Sequence, residues 1–214
     1  MSKVDLGPAA RRLAELVART EDDELGRPTP CPAYTVGDLI EHIGGLARAF
    51  AAAARKDSGP YAEPAPAGDA AWLPADWRAV IPRDLTAVAA AWAGPAAWAG
   101  VTRIAGTDAP ARAIGLALAG ELVVHGWDLA RATGRPYDCE PELLDAAEAF
   151  LDRLVRPGPP AGPGVPFGPP RPLPDDASSL DRLIALAGRD PRWAARGRAP
   201  SAGGIGSRPG PGHG

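Results

Sequence analysis

One long apolar segment constrains the fold of this chain more than any other feature. Residues 113–130 read AIGLALAGELVVHGWDLA, and their only ionisable side chains are Glu121, His125 and Asp128. A segment of this length could in principle cross a membrane, but a carboxylate near its middle is costly in lipid. The sequence contains no second segment of this kind. We therefore expect a helix that is buried in a soluble bundle.

Composition narrows the classes of function. The 214 residues suffice for one domain with a sizeable core. The 26 glycines and 26 prolines are clustered, which predicts long irregular loops between ordered segments. The chain has 23 basic and 26 acidic residues and no basic stripe, which argues against a nucleic-acid partner. The N-terminus lacks a secretion signal and the two cysteines form no C-x-x-C motif, so we expect a cytoplasmic protein.

Apolar residues at spacings of three and four predict six helices, joined by loops. Thr35 and Asp38 form a capping box at the start of the second helix, and Pro82 suits the first turn of the third helix. Asp108 suits the N-cap of the fourth helix, and Asp176 suits that of the last helix. The expected ranges are 5–20, 35–56, 82–93, 108–134, 141–151 and 176–188, with an extended segment at 98–106. We expect an all-α bundle of four main helices with additions over residues 1–196, and a disordered tail at 197–214.

A candidate site lies on the core-facing sides of two predicted helices. Glu121 and His125 are four residues apart, so both side chains leave the helix on one face. His42 lies between core positions of the second helix. Burying an unpaired carboxylate is costly, and a divalent metal held by two imidazoles and one carboxylate would explain all three residues together. Three protein ligands with an open fourth position are typical of catalytic zinc sites.

The pattern alone leaves alternatives open. Glu121 and His125 could instead form a buried hydrogen-bonded pair without a metal, because E-x-x-x-H also occurs by chance in helices. Asp38 and Asp128 lie one turn from His42 and His125 on the same faces. Each could orient its neighbouring imidazole by a hydrogen bond, or be an ordinary solvated helix carboxylate.

Three stretches resemble a known family: TPCPAYTVGDLIEHIGGLARAF at 29–50, GELVVHGWDLARATGRPYDCEPELLDAAEAF at 120–150 and VPFGPPRPLPDDASSLDRLIALAGRDPRW at 165–193. The chain is similar to actinobacterial single-domain metal-binding proteins of the DinB-like superfamily. These are related to the N-terminal metal-binding domain of mycothiol-dependent maleylpyruvate isomerase.

The resemblance implies a DinB-like four-helix bundle that binds a divalent metal, commonly zinc, through His42, Glu121 and His125. It also implies mycothiol, a low-molecular-weight thiol, as a cofactor. The function to expect is then a thiol-dependent transferase or isomerase that uses a metal-activated thiolate. The alternative is a non-catalytic metal-binding protein with a role in stress response or interaction.

The resemblance leaves the reaction itself open. The C-terminal domain of the isomerase is missing from this chain, so isomerisation of maleylpyruvate is not implied. Tyr34 stands where many relatives have Trp. We expect a small-molecule substrate and a low-molecular-weight thiol as partners, possible homodimerisation, and no nucleic acid or membrane. No catalytic side chain is assigned.

Overall fold

The computed structural model describes residues 4–57, 59–64, 67–155 and 167–195. Within these ranges the chain forms six α-helices and one two-stranded β-hairpin. In chain order they are α1 (Gly7–Ala18), α2 (Val36–Ala54), α3 (Trp77–Ala91), β1 (Val101–Ile104), β2 (Thr107–Pro110), α4 (Ala111–Ala132), α5 (Pro141–Val155) and α6 (Ser179–Leu186). The tail that the sequence predicts to be disordered, 197–214, lies outside the described residues.

Four of the helices surround one core. Helix α1 packs against α3 and α4, and α2 packs against the same two helices, so that the four close into a ring. Leu13, Ile40, Leu85 and Leu122 point into this ring, one from each helix, and are fully buried. Helix α5 covers the outside of α4, and α6 packs on α5. The predicted all-α bundle with additions is confirmed.

The long apolar segment at 113–130 lies in α4, which packs against α1, α2 and α5. Among the described residues it is the only helix long and apolar enough to span a membrane, and 78% of its most apolar window is buried inside the protein. Glycines on α4 let aromatic rings approach its backbone. A Cβ atom at Gly115 would lie 2.4 Å from the ring of Trp98, and one at Gly120 would lie 2.8 Å from that of Phe150.

The fourth helix begins later than its capping signal predicted. Asp108 lies in β2, where it faces Arg103 of β1, and the two side chains form an ion pair of 3.3 Å. Ala105 and Gly106 both have positive φ and make the two-residue turn of the hairpin. Of the extended segment predicted at 98–106, Val101–Ile104 forms a strand, whereas Trp98 lies in a short 3-10 helix and Ala105 and Gly106 form the turn. Asp108 is not a helix cap, because strand pairing takes up the residues before Ala111.

Two further helix starts differ from the prediction. Helix α3 begins at Trp77, so that Pro82 lies inside it and has no N–H to donate to the carbonyl of Arg78. Burial of Trp77 and Ile81 in the core offsets this loss. The cap of α6 is Ser178, whose hydroxyl accepts a hydrogen bond from the backbone N–H of Asp181 at 3.1 Å, and not Asp176.

Candidate metal centre

Helices α2 and α4 bring His42, Glu121 and His125 together. One donor atom of each lies within 4.8 Å of the other two. The shared atom is Oε2 of Glu121, which is 2.9 Å from Nε2 of His125 and 3.9 Å from Nε2 of His42. Glu121 and His125 are one turn apart on α4, whereas His42 reaches them from two turns inside α2.

These donor atoms are buried and lack hydrogen-bond partners. Nε2 of His42, Oε2 of Glu121 and Nε2 of His125 each have almost no solvent-accessible surface and no hydrogen bond among the described residues. A buried polar atom without a partner is expensive, and three of them at one point call for a ligand that satisfies all of them. Two imidazole nitrogens and one carboxylate oxygen are a donor set that suits a divalent cation such as Zn²⁺.

The cluster also needs a positive charge. Burial opposes ionisation of Glu121, but the facing rings of His125 and His42 outweigh it and lower the pKa of the carboxyl to about 2. Burial likewise opposes protonation of His125, but Asp128 and Glu121 outweigh it and raise the pKa of the imidazole. Without a metal the site would therefore draw a proton onto His125. A bound metal ion, or a proton on His125, would each supply the positive charge that the carboxylate of Glu121 requires.

Behind His125 lies a chain of buried polar contacts. Nδ1 of His125 is 3.1 Å from Oδ2 of Asp128, and Asp128 accepts hydrogen bonds from Nε and Nη2 of Arg189 at 3.2 and 2.9 Å. An ionised carboxylate can only accept, so Nδ1 of His125 carries the hydrogen in this contact. In the neutral ring, Nε2 then carries a lone pair and no hydrogen, so it can act as a ligand. Asp128 is thus in contact with the imidazole that the sequence analysis paired it with.

Asp38 is engaged elsewhere. Its carboxylate accepts hydrogen bonds from the backbone N–H and the hydroxyl of Thr35, at 2.9 and 2.6 Å, and from the backbone N–H of Ala70 at 2.9 Å. These bonds form the capping box of α2 and attach the loop that contains Gly68. That loop lies so close to α2 that a Cβ atom at Gly68 would be 2.8 Å from Cβ of His42. None of the three bonds involves the imidazole of His42.

Aromatic rings flank the two imidazoles. Tyr34 stacks on His42 with ring centroids 5.1 Å apart, and Phe167 stacks on His125 at 6.2 Å. The ring of His125 is fully buried, while the side chain of His42 is 21% exposed. Among the described residues, the cluster is therefore less covered on the side of His42.

Sequence reasoning missed Phe167 and Arg189. Phe167 follows a stretch rich in Pro and Gly that has no helical period, and Arg189 is 61 residues from its partner Asp128. The one usable signal was the buried charge of Asp128, which requires a cationic partner somewhere in the chain.

Two surface cavities lie away from the cluster. One, of about 360 Å³, is lined by residues of α1 and of the segment 135–138, including Arg12 and Tyr137. The other, of about 380 Å³, lies between the segment 171–177 and the residues around Asp190. Neither is lined by a residue of the metal cluster.

Comparison with known proteins identifies the family. Residues 6–130, more than half of the chain, match the family model described as the mycothiol maleylpyruvate isomerase N-terminal domain. The chain belongs to this family. The domain is DinB-like, in agreement with the helical bundle. The match includes the three residues of the cluster and Asp128, but it ends before Phe167 and Arg189.

Relatives extend the similarity beyond the family model. Two uncharacterized proteins of Mycobacterium tuberculosis, from strains CDC 1551 and H37Rv, are each 33% identical to this chain over 184 residues. The similarity covers 84% of this chain and 92% of each relative. No solved structure matches the chain.

Proposed function

We propose that this protein binds one divalent metal ion, zinc by the chemistry of its donors, through His42, Glu121 and His125. We further propose that it uses the ion with a low-molecular-weight thiol of the mycothiol type, as an S-transferase or an isomerase. The observation that carries the metal is the convergence of three buried donor atoms without hydrogen-bond partners. The mycothiol in the description of the family supports the thiol.

The surrounding residues have distinct roles in this proposal. Asp128 holds the hydrogen of His125 on Nδ1 and so leaves Nε2 available as a ligand. Tyr34 and Phe167 stack on the two imidazoles and keep water from their faces. A divalent ion held by three protein ligands supplies a lowered pKa for a thiol or a water molecule at its remaining position. A thiol and a small electrophile would enter from the side of His42, whose side chain is 21% exposed.

The use of a low-molecular-weight thiol supports a cytoplasmic location for the protein. A protein that works with a reduced low-molecular-weight thiol belongs in the cytoplasm, where thiols are kept reduced. Its partners would be that thiol and a small-molecule substrate.

The second candidate function is metal binding without turnover, in stress response or interaction. It is favoured by the burial of the three donor atoms, each of which has almost no solvent-accessible surface. A site that only holds a metal needs no space for a substrate, whereas a transferase needs room for two.

Cobalt(II) is the probe that separates the two functions. The full-length protein, with Cys31→Ser and Cys139→Ser so that its own thiols cannot contribute, is loaded with Co²⁺ and titrated with mycothiol. Thiol-dependent chemistry predicts a saturable sulfur-to-cobalt charge-transfer band, and no band with S-methylated mycothiol as the control. Bound cobalt whose spectrum is unchanged by mycothiol would contradict the thiol-dependent function and favour the second candidate.

A further inference from the structure

The C-terminal segment reaches the metal cluster from outside the four-helix ring. Phe167 stacks on the ring of His125, and Arg189 donates two hydrogen bonds to Asp128, the residue that contacts Nδ1 of His125. Both residues are almost completely buried. The guanidinium of Arg189 also lies 5.8 Å from the centre of the Phe167 ring. Phe167 thus contacts the imidazole of His125 directly, and Arg189 reaches it through Asp128.

The backbone around Arg189 is built to hold it there. The backbone N–H of Arg189 donates to the carbonyl of Ile184 at 3.0 Å, and its Nη1 donates to the carbonyl of Ala187 at 3.0 Å. Gly188 has a φ of +84°, and a Cβ atom there would lie 2.6 Å from Cα of Gly168. This close approach of two backbones places Phe167 and Arg189 side by side. Contacts within the C-terminal segment therefore hold the guanidinium in the position from which it binds Asp128.

We propose that Arg189 is a positioning residue of the metal centre, acting on His125 through Asp128. The inference rests on the proposed function, because it assigns a role in binding the metal. Oδ2 of Asp128 is shared between Nη2 of Arg189 and Nδ1 of His125, so the fork of the guanidinium sets the plane of the carboxylate. That plane in turn sets the direction in which Nε2 of His125 points. Contacts of this kind, one step behind a metal ligand, commonly change metal affinity by about 10–100-fold.

This role divides the centre between two parts of the chain. The three ligands and Asp128 lie within residues 6–130, the part that matches the family model, and Arg189 lies beyond it. The ring of four helices supplies the donor atoms, while the C-terminal segment holds one of them in its orientation. Metal binding is then a property of the whole chain and not of the matched region alone.

The test compares two arginines of the same segment. Arg189→Met removes the guanidinium but keeps a long side chain. Arg189→Lys keeps the positive charge but lacks the planar pair of N–H donors that the guanidinium offers to Asp128. Arg192→Met is the control, because the side chain of Arg192 is 93% exposed. Zn²⁺ affinity is measured on the full-length protein by competition with a chromophoric chelator, and the ligand-field absorption spectrum is recorded with Co²⁺. Circular dichroism establishes that each metal-free variant is folded.

We expect Arg189→Met to weaken Zn²⁺ binding by about 10–100-fold and to alter the cobalt spectrum. Arg189→Lys should recover part of the affinity, and Arg192→Met should match the wild type in both measurements. A folded Arg189→Met protein with wild-type affinity and an unchanged cobalt spectrum would overturn the positioning role alone. A wild-type protein that binds no Zn²⁺ would overturn the proposed function as well.

A second variant covers the case in which Arg189→Met does not fold because it leaves Asp128 unpaired. Combining Arg189→Met with Asp128→Asn removes both buried charges and keeps an amide oxygen that can accept from Nδ1 of His125. This double variant should fold and still show the weakened affinity and the altered cobalt spectrum. A folded double variant with the Zn²⁺ affinity and the cobalt spectrum of the wild type would overturn the inference.

Discussion

Nε2 of His125 lies 2.9 Å from Oε2 of Glu121, although neither atom has a hydrogen-bond partner among the described residues. The contact with Asp128 places the imidazole hydrogen on the other nitrogen, so Nε2 of the neutral ring has a lone pair within 2.9 Å of a carboxylate oxygen. This arrangement is unfavourable unless a cation binds both atoms or a proton is added to the ring. The proposed metal centre follows from this relationship, and His42 adds the third donor.

Protons should compete with the metal. The pKa of His125 is raised above its usual value of 6.5 in the metal-free protein, and Zn²⁺ requires the unprotonated nitrogen. Affinity should therefore be greatest above the pKa of His125 and fall by about tenfold per pH unit below it. Calorimetric titrations in buffers of different ionisation enthalpy should detect the released proton. An affinity that does not change between about pH 5.5 and 7.5 would contradict this coupling.

Asp38 and Asp128 should respond differently to substitution. Asp38→Ala removes the capping box and the bond to Ala70, which should lower the free energy of unfolding by about 1–2 kcal/mol while Zn²⁺ binding is retained. Asp128→Asn should weaken Zn²⁺ binding by about 10–100-fold. Denaturant unfolding and chelator competition measure the two effects. If Asp38→Ala loses Zn²⁺ as readily as Asp128→Asn, the assignment of Asp38 to the helix cap is wrong.

The three proposed ligands could be predicted from the sequence because each lies on a core-facing helical stripe that the apolar residues define. A side chain on such a stripe points into the bundle, so the stripes predicted that His42, Glu121 and His125 lie inside it. Phe167 and Arg189 could not be predicted in the same way. Their positions depend on the close contact of two loop segments, which leaves no periodic pattern in the sequence.

Helix starts were predicted less well than helix faces. Asp108 precedes a proline as a capping residue would, but it belongs to a strand because Arg103 faces it across a tight turn. Pro82 was placed in a first turn, yet the burial of Trp77 and Ile81 extends the helix ahead of it. In the first case strand pairing, and in the second burial in the core, outweighed a preference for a helix start that the sequence displays.

Two glycines with positive φ should differ in their tolerance of alanine. Gly134 ends α4 with a φ of +68°, and a Cβ atom there would meet nothing within 4 Å. Gly134→Ala should therefore cost only the backbone strain, about 1–2 kcal/mol. Gly188→Ala adds a clash with the backbone of Gly168 and should cost about 1–3 kcal/mol more. Equal losses of unfolding free energy in the two variants would contradict the close packing of the C-terminal segment.

Both cysteine thiols should be slow to react in the folded protein. Burial raises the pKa of Cys31, and burial together with Glu140 raises the pKa of Cys139 to about 11. The thiolate fraction at neutral pH is therefore small at both positions. A chromogenic disulfide reagent should label neither thiol quickly under native conditions and both in denaturant. Rapid labelling of the native protein that is lost in Cys31→Ser would identify Cys31 as accessible and contradict its burial.

The metal content of the purified, untagged full-length protein tests the central claim most directly. Elemental analysis after exposure to Zn²⁺ and removal of excess metal should find about one ion per wild-type chain, as three ligands around a single point require. His42→Ala and Glu121→Gln should lose the ion, while Glu41→Gln, which changes the residue next to His42, should retain it. A wild-type protein that holds no metal under these conditions would contradict the account and leave Glu121 paired with a protonated His125.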